Sequence, residues 1–309
     1  MAGLPSAVSR YLPRLPFPFS APTVPRGVEL PPRTPRSGAD YDTGWARRYP
    51  ARLARAALVE TVGRPAVVAL ARPEVHGLDR LDQLVEAGGP VIFAANHHSH
   101  VDTPVMLTAI PEPWRHRLFV GAAADYFFRT ALTSAVSALA IGAIPIERSR
   151  VSRRSADRAA ALIDGGWSML IFPEGGRSPD GWGQPFRGGA AYLALRCRVP
   201  VVPVHIDGTG KILRKGRKLP SPATARVTFG HPLVPADGMD SRRFGAVVER
   251  AVAALADEAV TDWWQARRRA HAGESPALTG PSAPAWRRAW ALGDPDRRRT
   301  RRRRRWPEI

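Results

Sequence analysis

The chain has 309 residues, 44% of them hydrophobic, enough to bury a sizeable core and more than a typical single domain needs. Its 46 basic against 27 acidic residues give a formal charge of +19, which points to a polyanionic neighbour: nucleic acid, an anionic membrane surface or a phosphorylated substrate. Cys197 is the only cysteine, which excludes an intramolecular disulfide and a zinc site built on thiolates.

Residues 1–40 hold nine prolines and read as a disordered arm, with proline interrupting any run that could serve as a signal peptide. Residues 41–65 read as a basic amphipathic helix region in which Pro50 marks a helix start. There Arg47, Arg48, Arg52 and Arg55 stand beside Trp45, Tyr49, Leu53 and Leu58. The pattern fits a helix lying on a membrane, and equally a helix packed on the core with solvated arginines.

From Pro65 apolar runs alternate with helix-like segments. "AVVALA", "PVIFAA", "RLFVGA", "AIPIE", "SMLIFP", "VPVVPVHI" and "ARVTFG" read as strands, and Arg153–Asp164 and Ala190–Arg198 as helices between them. This predicts an α/β fold over residues 66–268: a single mixed, mostly parallel sheet layered by helices, with disordered termini. The uncharged run Thr130–Ile146 is short for a membrane span and predicts a buried helix running into a strand. Two prolines in "VPVVPV", Val199–Val204, predict an edge strand or a pocket wall. One last helix is expected over about Ser241–Arg268, and residues 269–309 read as a linker and an Arg-rich disordered tail. From Trp264 to Ile309 there are 13 arginines and 4 acidic residues, so this end supplies +9 of the +19.

The densest chemistry lies in "AANHHSHVDTP", Ala94–Pro104, directly after an apolar run. Ligands bind at the carboxyl ends of strands in open α/β sheets. Ser99 and Asp102 have the spacing of a capping box that would start a helix there. On one continuous helix His97 and Asp102 would point about 140° apart, whereas a loop-to-helix bend lets the carboxylate turn back to one imidazole nitrogen. Such a pair is a usable general base, although capping competes for the same carboxylate. The rival readings are a metal cage and a polar loop without chemistry. His98, His100 and Asp102 match the start of the H-x-H-x-D-H pattern of metallo-β-lactamase-like hydrolases, but Thr103 stands where the last histidine belongs. A hydrolytic metal site needs three or more well-placed ligands, so no metal is expected.

A second constellation is "IFPEGGRSPDG", Ile171–Gly181. Gly175 and Gly176 permit a tight turn that presents N–H groups to an anion, and Arg177 adds a planar fork suited to phosphate. Glu174 is placed to accept from a substrate hydroxyl or to hold Arg177. "GAIPIER", Gly142–Arg148, is another short strand that delivers an arginine.

Taken in order, these segments resemble the glycerolipid acyltransferase family typified by 1-acyl-glycerol-3-phosphate acyltransferases. Its N-H-x-S-x-x-D motif is met by Asn96, His97, Ser99 and Asp102, and its G-x-I-P-[IV]-x-R motif by Gly142, Ile144, Pro145, Ile146 and Arg148. Its F-P-E-G-T-R-S motif is met by Phe172, Pro173, Glu174, Gly175, Arg177 and Ser178, and its V-P-V-x-P-V segment by Val199–Val204. "FRGGAA", from Phe186, is similar to the basic-glycine segment that follows the third motif. The likeness covers roughly Val75 to His231. Gly176 departs from it, standing where the family has threonine, and this bears on the acceptor more than on the reaction.

The resemblance implies that His97 deprotonates an acceptor hydroxyl while Asp102 holds its imidazole. Asn96, Ser99, Arg148, Glu174, Gly175, Gly176, Arg177 and Ser178 are the implied substrate-binding residues. The implied co-substrate is acyl-CoA or acyl carrier protein, the acceptor a lysophospholipid such as 1-acyl-glycerol-3-phosphate, and no cofactor is required. Peripheral association with the inner, cytoplasmic face of an anionic membrane follows. Alternatives are another lipid or glycolipid acceptor, or a non-catalytic basic protein that binds membrane or nucleic acid. Nucleic acid is disfavoured, because few aromatics interleave with the arginines and no recognisable binding module is present.

Overall fold

The computed structural model describes residues 38–147, 153–213, 219–284 and 286–288. Most of the proline-rich arm, Arg148, the end of the basic "GKILRKGRK" segment and the tail from residue 289 lie outside the described residues.

Seven strands form one sheet: β1 (Glu74–His76), β2 (Ile92–Ala95), β3 (Leu118–Ala123), β4 (Ala143–Ile146), β5 (Ser168–Ile171), β6 (Val201–Asp207) and β7 (Arg226–Phe229). Their order is β1-β7-β6-β2-β5-β3-β4, and every pairing is parallel except β6 with β7. This is the expected mixed, mostly parallel sheet. Successive strand residues face opposite ways, and both faces are covered. Phe93 and Ala95 join a core with Val105, Met106, Val120 and Phe229. Ile92 and Ala94 join another with Phe119, Ile163, Met169, Phe244 and Val248.

Several expectations are corrected. "AVVALA" lies in a helix, Arg64–Ala71, with a proline in its first turn and Arg72 in the left-handed region at its end. Val67 and Ala71, four apart, are buried while Val68 is exposed, a helical rather than an alternating pattern. The first strand is instead Glu74–His76, too short for its one half-buried residue, Val75, to leave a periodic signal.

β6 is a central strand, between β2 and β7. Its Pro203 is tolerated because β7 ends at Phe229 and the residue opposite is Gly230. A Cβ on Gly230 would stand 2.8 Å from Pro203 Cγ, and Gly230 N–H donates to the Pro203 carbonyl at 2.8 Å. The expected single C-terminal helix is two, Ser241–Val260 and Trp263–Ala272, because Asp262 caps a fresh start by accepting from Gln265 N–H at 2.8 Å.

Helix Ala131–Ile141 runs into β4 as expected but is not buried: Leu132 is 73% and Val136 56% exposed. The amphipathic helix Tyr49–Leu58 packs against it. Tyr49 (74% exposed) and Leu53 (58%) face outward, while Arg55 is buried with its guanidinium over the Trp167 ring. Burial there lowers the Arg55 pKa to about 10. The solvated-arginine picture therefore fails for Arg55.

Candidate active site

β2 and β5 are parallel neighbours, so their carboxyl ends lie side by side and bring together loops 77 residues apart in sequence. At the end of β2, Asn96 is buried and works as an extra rung of the ladder. Its Nδ2 donates to the Ile206 carbonyl at 2.8 Å and its Oδ1 accepts the Ile206 N–H at 2.7 Å. Asn96 thus anchors the loop that follows.

The chain then bends, and helix Asp102–Ala109 begins. His97 Nδ1 lies 2.8 Å from Asp102 Oδ2. The same oxygen accepts the backbone N–H of His98 at 2.7 Å and of Ser99 at 2.8 Å. One carboxylate oxygen therefore does both tasks that competed in the sequence: it caps the turn and holds the imidazole. With Asp102 ionised, Nδ1 carries the proton and Nε2 is the basic nitrogen. Asp102 is fully buried and its Oδ1 has no hydrogen-bond partner among the described residues. Ser99 is buried too; its hydroxyl donates to the Leu213 carbonyl at 2.8 Å and accepts Val101 N–H at 3.2 Å. The His97 side chain is 17% exposed, whereas Asn96, Ser99 and Asp102 are buried.

The glycine turn after β5 supports this histidine from below. Both oxygens of Glu174 accept backbone N–H groups, Oε1 from His97 at 2.8 Å and Oε2 from Gln184 at 2.9 Å. Ser178 N–H donates to the His97 carbonyl at 2.8 Å, and Ser178 Oγ accepts Gly181 N–H at 2.7 Å. Phe172 stacks on the imidazole, ring centroids 4.2 Å apart and 20° from parallel. Glu174 and Ser178 are both buried and hold the His97 loop, where substrate contact was expected.

Gly175 adopts φ +71, and a Cβ there would stand 2.9 Å from Arg187 Nε. Gly175→Ala is therefore expected to cost about 1–2 kcal/mol in stability, read by urea unfolding, because the left-handed backbone and the overlying guanidinium both oppose a side chain. The carbonyls of Gly176 and Arg177 are taken up by Gln184 Nε2, at 3.1 and 3.2 Å. The Arg177 side chain is half-buried and has no hydrogen bond or ion pair among the described residues.

Burial dominates the electrostatics. It pushes the Glu174 carboxyl up to about 7, against the two N–H bonds that favour its charge. It also lowers the pKa of His98, with Asp102 and Asp207 pulling the other way, and lowers that of His205 to about 4. His100 stacks on Tyr126, centroids 5.1 Å apart. The histidine cluster thus disperses: one ring meets Asp102, another an aromatic. Among the described residues no three His, Cys, Asp or Glu side chains gather as a metal-binding group.

Two contributors escape the sequence reading. Phe172 stood inside a quoted motif, but its stacking partner depends on strand adjacency. Gln184, in "GWGQPF", carries no local signal at all.

A histidine–carboxylate pair stands on the carboxyl edge of this sheet, beside a glycine turn that bears an arginine. Residues 72–207, from β1 through β6, match the family model described as Acyltransferase. The chain is 31% identical over 147 residues to 1-acyl-sn-glycerol-3-phosphate acyltransferase BAT2, chloroplastic, of Brassica napus, covering 47% of this chain and 40% of that one. It is 26% identical over 168 residues to the human 1-acyl-sn-glycerol-3-phosphate acyltransferase beta, covering 52% and 56%. The chain thus spans about 40% of the length of the first of these relatives. Its fold is similar to the crystal structure of the LPA acyltransferase PlsC from Thermotoga maritima, with a TM-score of 0.53 and 24% identity over 70% of this chain and 83% of that one.

Proposed function

We propose that this protein moves a fatty acyl chain from a thioester of CoA or acyl carrier protein to the hydroxyl of a lysophospholipid such as 1-acyl-glycerol-3-phosphate. The observation that carries this reading is the 2.8 Å His97–Asp102 contact within the segment that matches the Acyltransferase family model. With Nδ1 engaged by Asp102, His97 Nε2 takes the proton of the acceptor hydroxyl. The oxygen attacks the thioester carbonyl, an ester C–O bond forms, the C–S bond breaks, and the imidazolium returns its proton to the departing thiolate. Asp102 stabilises the imidazolium during this step. Arg177 faces the acceptor's phosphate as a charged fork, and the resemblance adds Arg148. No resident cofactor takes part; the thioester supplies the acyl group.

A peripheral seat on the inner, cytoplasmic face of a membrane suits such an acceptor. No helix among the described residues is long and apolar enough to cross one. The outward Tyr49, Leu53, Leu132 and Val136, with Arg48 and Arg129 exposed nearby in sequence, support contact of two packed helices with an anionic lipid surface. The test is a screen of purified protein with radiolabelled acyl-CoA and acyl carrier protein against lysophosphatidic acid, other lysophospholipids and glycolipids. Labelled phosphatidic acid as the main product is expected. Labelling of a different lipid reassigns the acceptor, the position at which Gly176 departs from the family. Labelling of none of them refutes the reading.

A further inference from the structure

The chain runs on past the family match, and its last described stretch returns to the loop that follows Arg177. Leu278 carbonyl accepts Gly183 N–H at 3.0 Å. Gly280, at φ +69, has the Trp182 ring where a Cβ would stand, so the indole sits on bare backbone. The indole N–H in turn donates to the Arg288 carbonyl at 3.0 Å. Arg288 closes the arrangement: Nε donates to Asp180 Oδ2 at 2.7 Å, and Nη1 to the carbonyls of Thr279 and Pro281, each at 3.0 Å. Beside Trp182 and Gly183 lies Gln184, whose N–H holds Glu174 and whose amide caps the Gly176 and Arg177 carbonyls. Glu174 holds the N–H of His97.

We infer that residues 278–284 and 286–288 act as a strap that positions the active site, with Trp182, Asp180 and Arg288 as its clasp. The strap fixes loop 180–184, Gln184 fixes the turn that bears Arg177, and Glu174 passes the constraint to the His97 loop. A single partly exposed ion pair holds little by itself. Here the Arg288–Asp180 pair is joined by a seated indole, an indole N–H bond and a backbone bond, all closing on the same five-residue loop. Neither Arg288 nor Trp182 need touch substrate for this. They act through Gln184 and Glu174, and so differ from the residues of the reaction itself.

The test uses the full chain with Arg288→Ala and, as an independent variant, Gly280→Ala, whose Cβ evicts the indole from its seat. Amide hydrogen exchange of peptides covering 94–102 and 172–187 is expected to speed up about tenfold in both, while peptides of β2 and β6 keep their protection. The kinetic arm rests on the acyl-transfer reading: the acceptor KM is expected to rise about fivefold and kcat to fall with the donor KM unchanged, since the loosened turn bears Arg177 and the loosened loop bears His97. Unchanged exchange in those two regions in both variants overturns the strap. So does a fall in kcat with both KM values constant, the mark of mere loss of folded protein. A wild type that transfers no acyl group sinks the function instead, and the exchange result still decides the strap.

Discussion

His97→Ala is expected to lower acyl transfer by about 10³-fold, within the usual range for removing a positioned general base. The fold should survive, because the His97 backbone keeps its hold on the loop when the ring is gone. The N–H goes to Glu174 and the carbonyl accepts from Ser178, and alanine keeps both. What disappears is the basic nitrogen, the bond to Asp102 and the stack on Phe172. Asp102→Asn should lower transfer by about 10²-fold or more, since an amide oxygen can still cap His98 and Ser99 but cannot stabilise an imidazolium. Initial rates with labelled acyl donor and circular dichroism of each variant check these expectations. A His97→Ala protein that keeps a tenth of the wild-type rate would remove the histidine from the reaction.

Glu174→Gln tests the buried carboxyl through its pH dependence. Glu174 is raised from 4.5 to about 7, chiefly by desolvation. A carboxyl that binds its proton more tightly when folded contributes stability that is complete below about pH 4.5 and is lost as pH rises through about 7. That gap corresponds to on the order of 3 kcal/mol. Glutamine cannot titrate and carries a constant penalty instead, about 1–3 kcal/mol, because one of its two polar atoms becomes a donor facing an N–H. The variant should therefore be clearly less stable than wild type near pH 5, with the deficit shrinking or reversing near pH 8. His98 and His205, whose folded pKa values are lowered, have the opposite trend: their contribution is lost as pH falls. Both are present in the two proteins and cancel in the difference. Urea unfolding of the pair from about pH 5 to pH 8 measures it. A difference that stays flat across the range would show that burial does not raise this group.

The same glutamate marks the limit of what was legible in the chain. Its position in "FPEGGR" drew attention to it, and a carboxylate beside an arginine reads locally as a substrate contact or an arginine partner. The actual partners are two backbone N–H groups, one of them 77 residues away. Ser178 and Asn96 repeat the lesson: polar residues at strand ends attract a binding role, yet their bonds run to the His97 carbonyl and to Ile206. Pro203 was read as an edge signal because proline lacks a donor. The antiparallel neighbour ends in time and puts Gly230 opposite, and neither fact is encoded near residue 203. "AVVALA" has the composition of a strand, and only the preceding helical turns and Pro65 carry it into a helix.

Most of the alternating elements, and a possible meeting of His97 with Asp102 across a bend, were legible in the sequence alone. Contacts at that range follow from backbone geometry across a single bend, so residue type and spacing suffice. The tertiary structure decided the rest: that Glu174 and Ser178 hold the His97 loop, that Asn96 clips it to β6, and that Arg288 reaches Asp180 across 108 residues. These depend on which strands lie side by side and on how deeply a polar group is buried. Strand order and desolvation are properties of the assembled sheet, set by the packing of many distant residues at once, and no short stretch of the chain contains them.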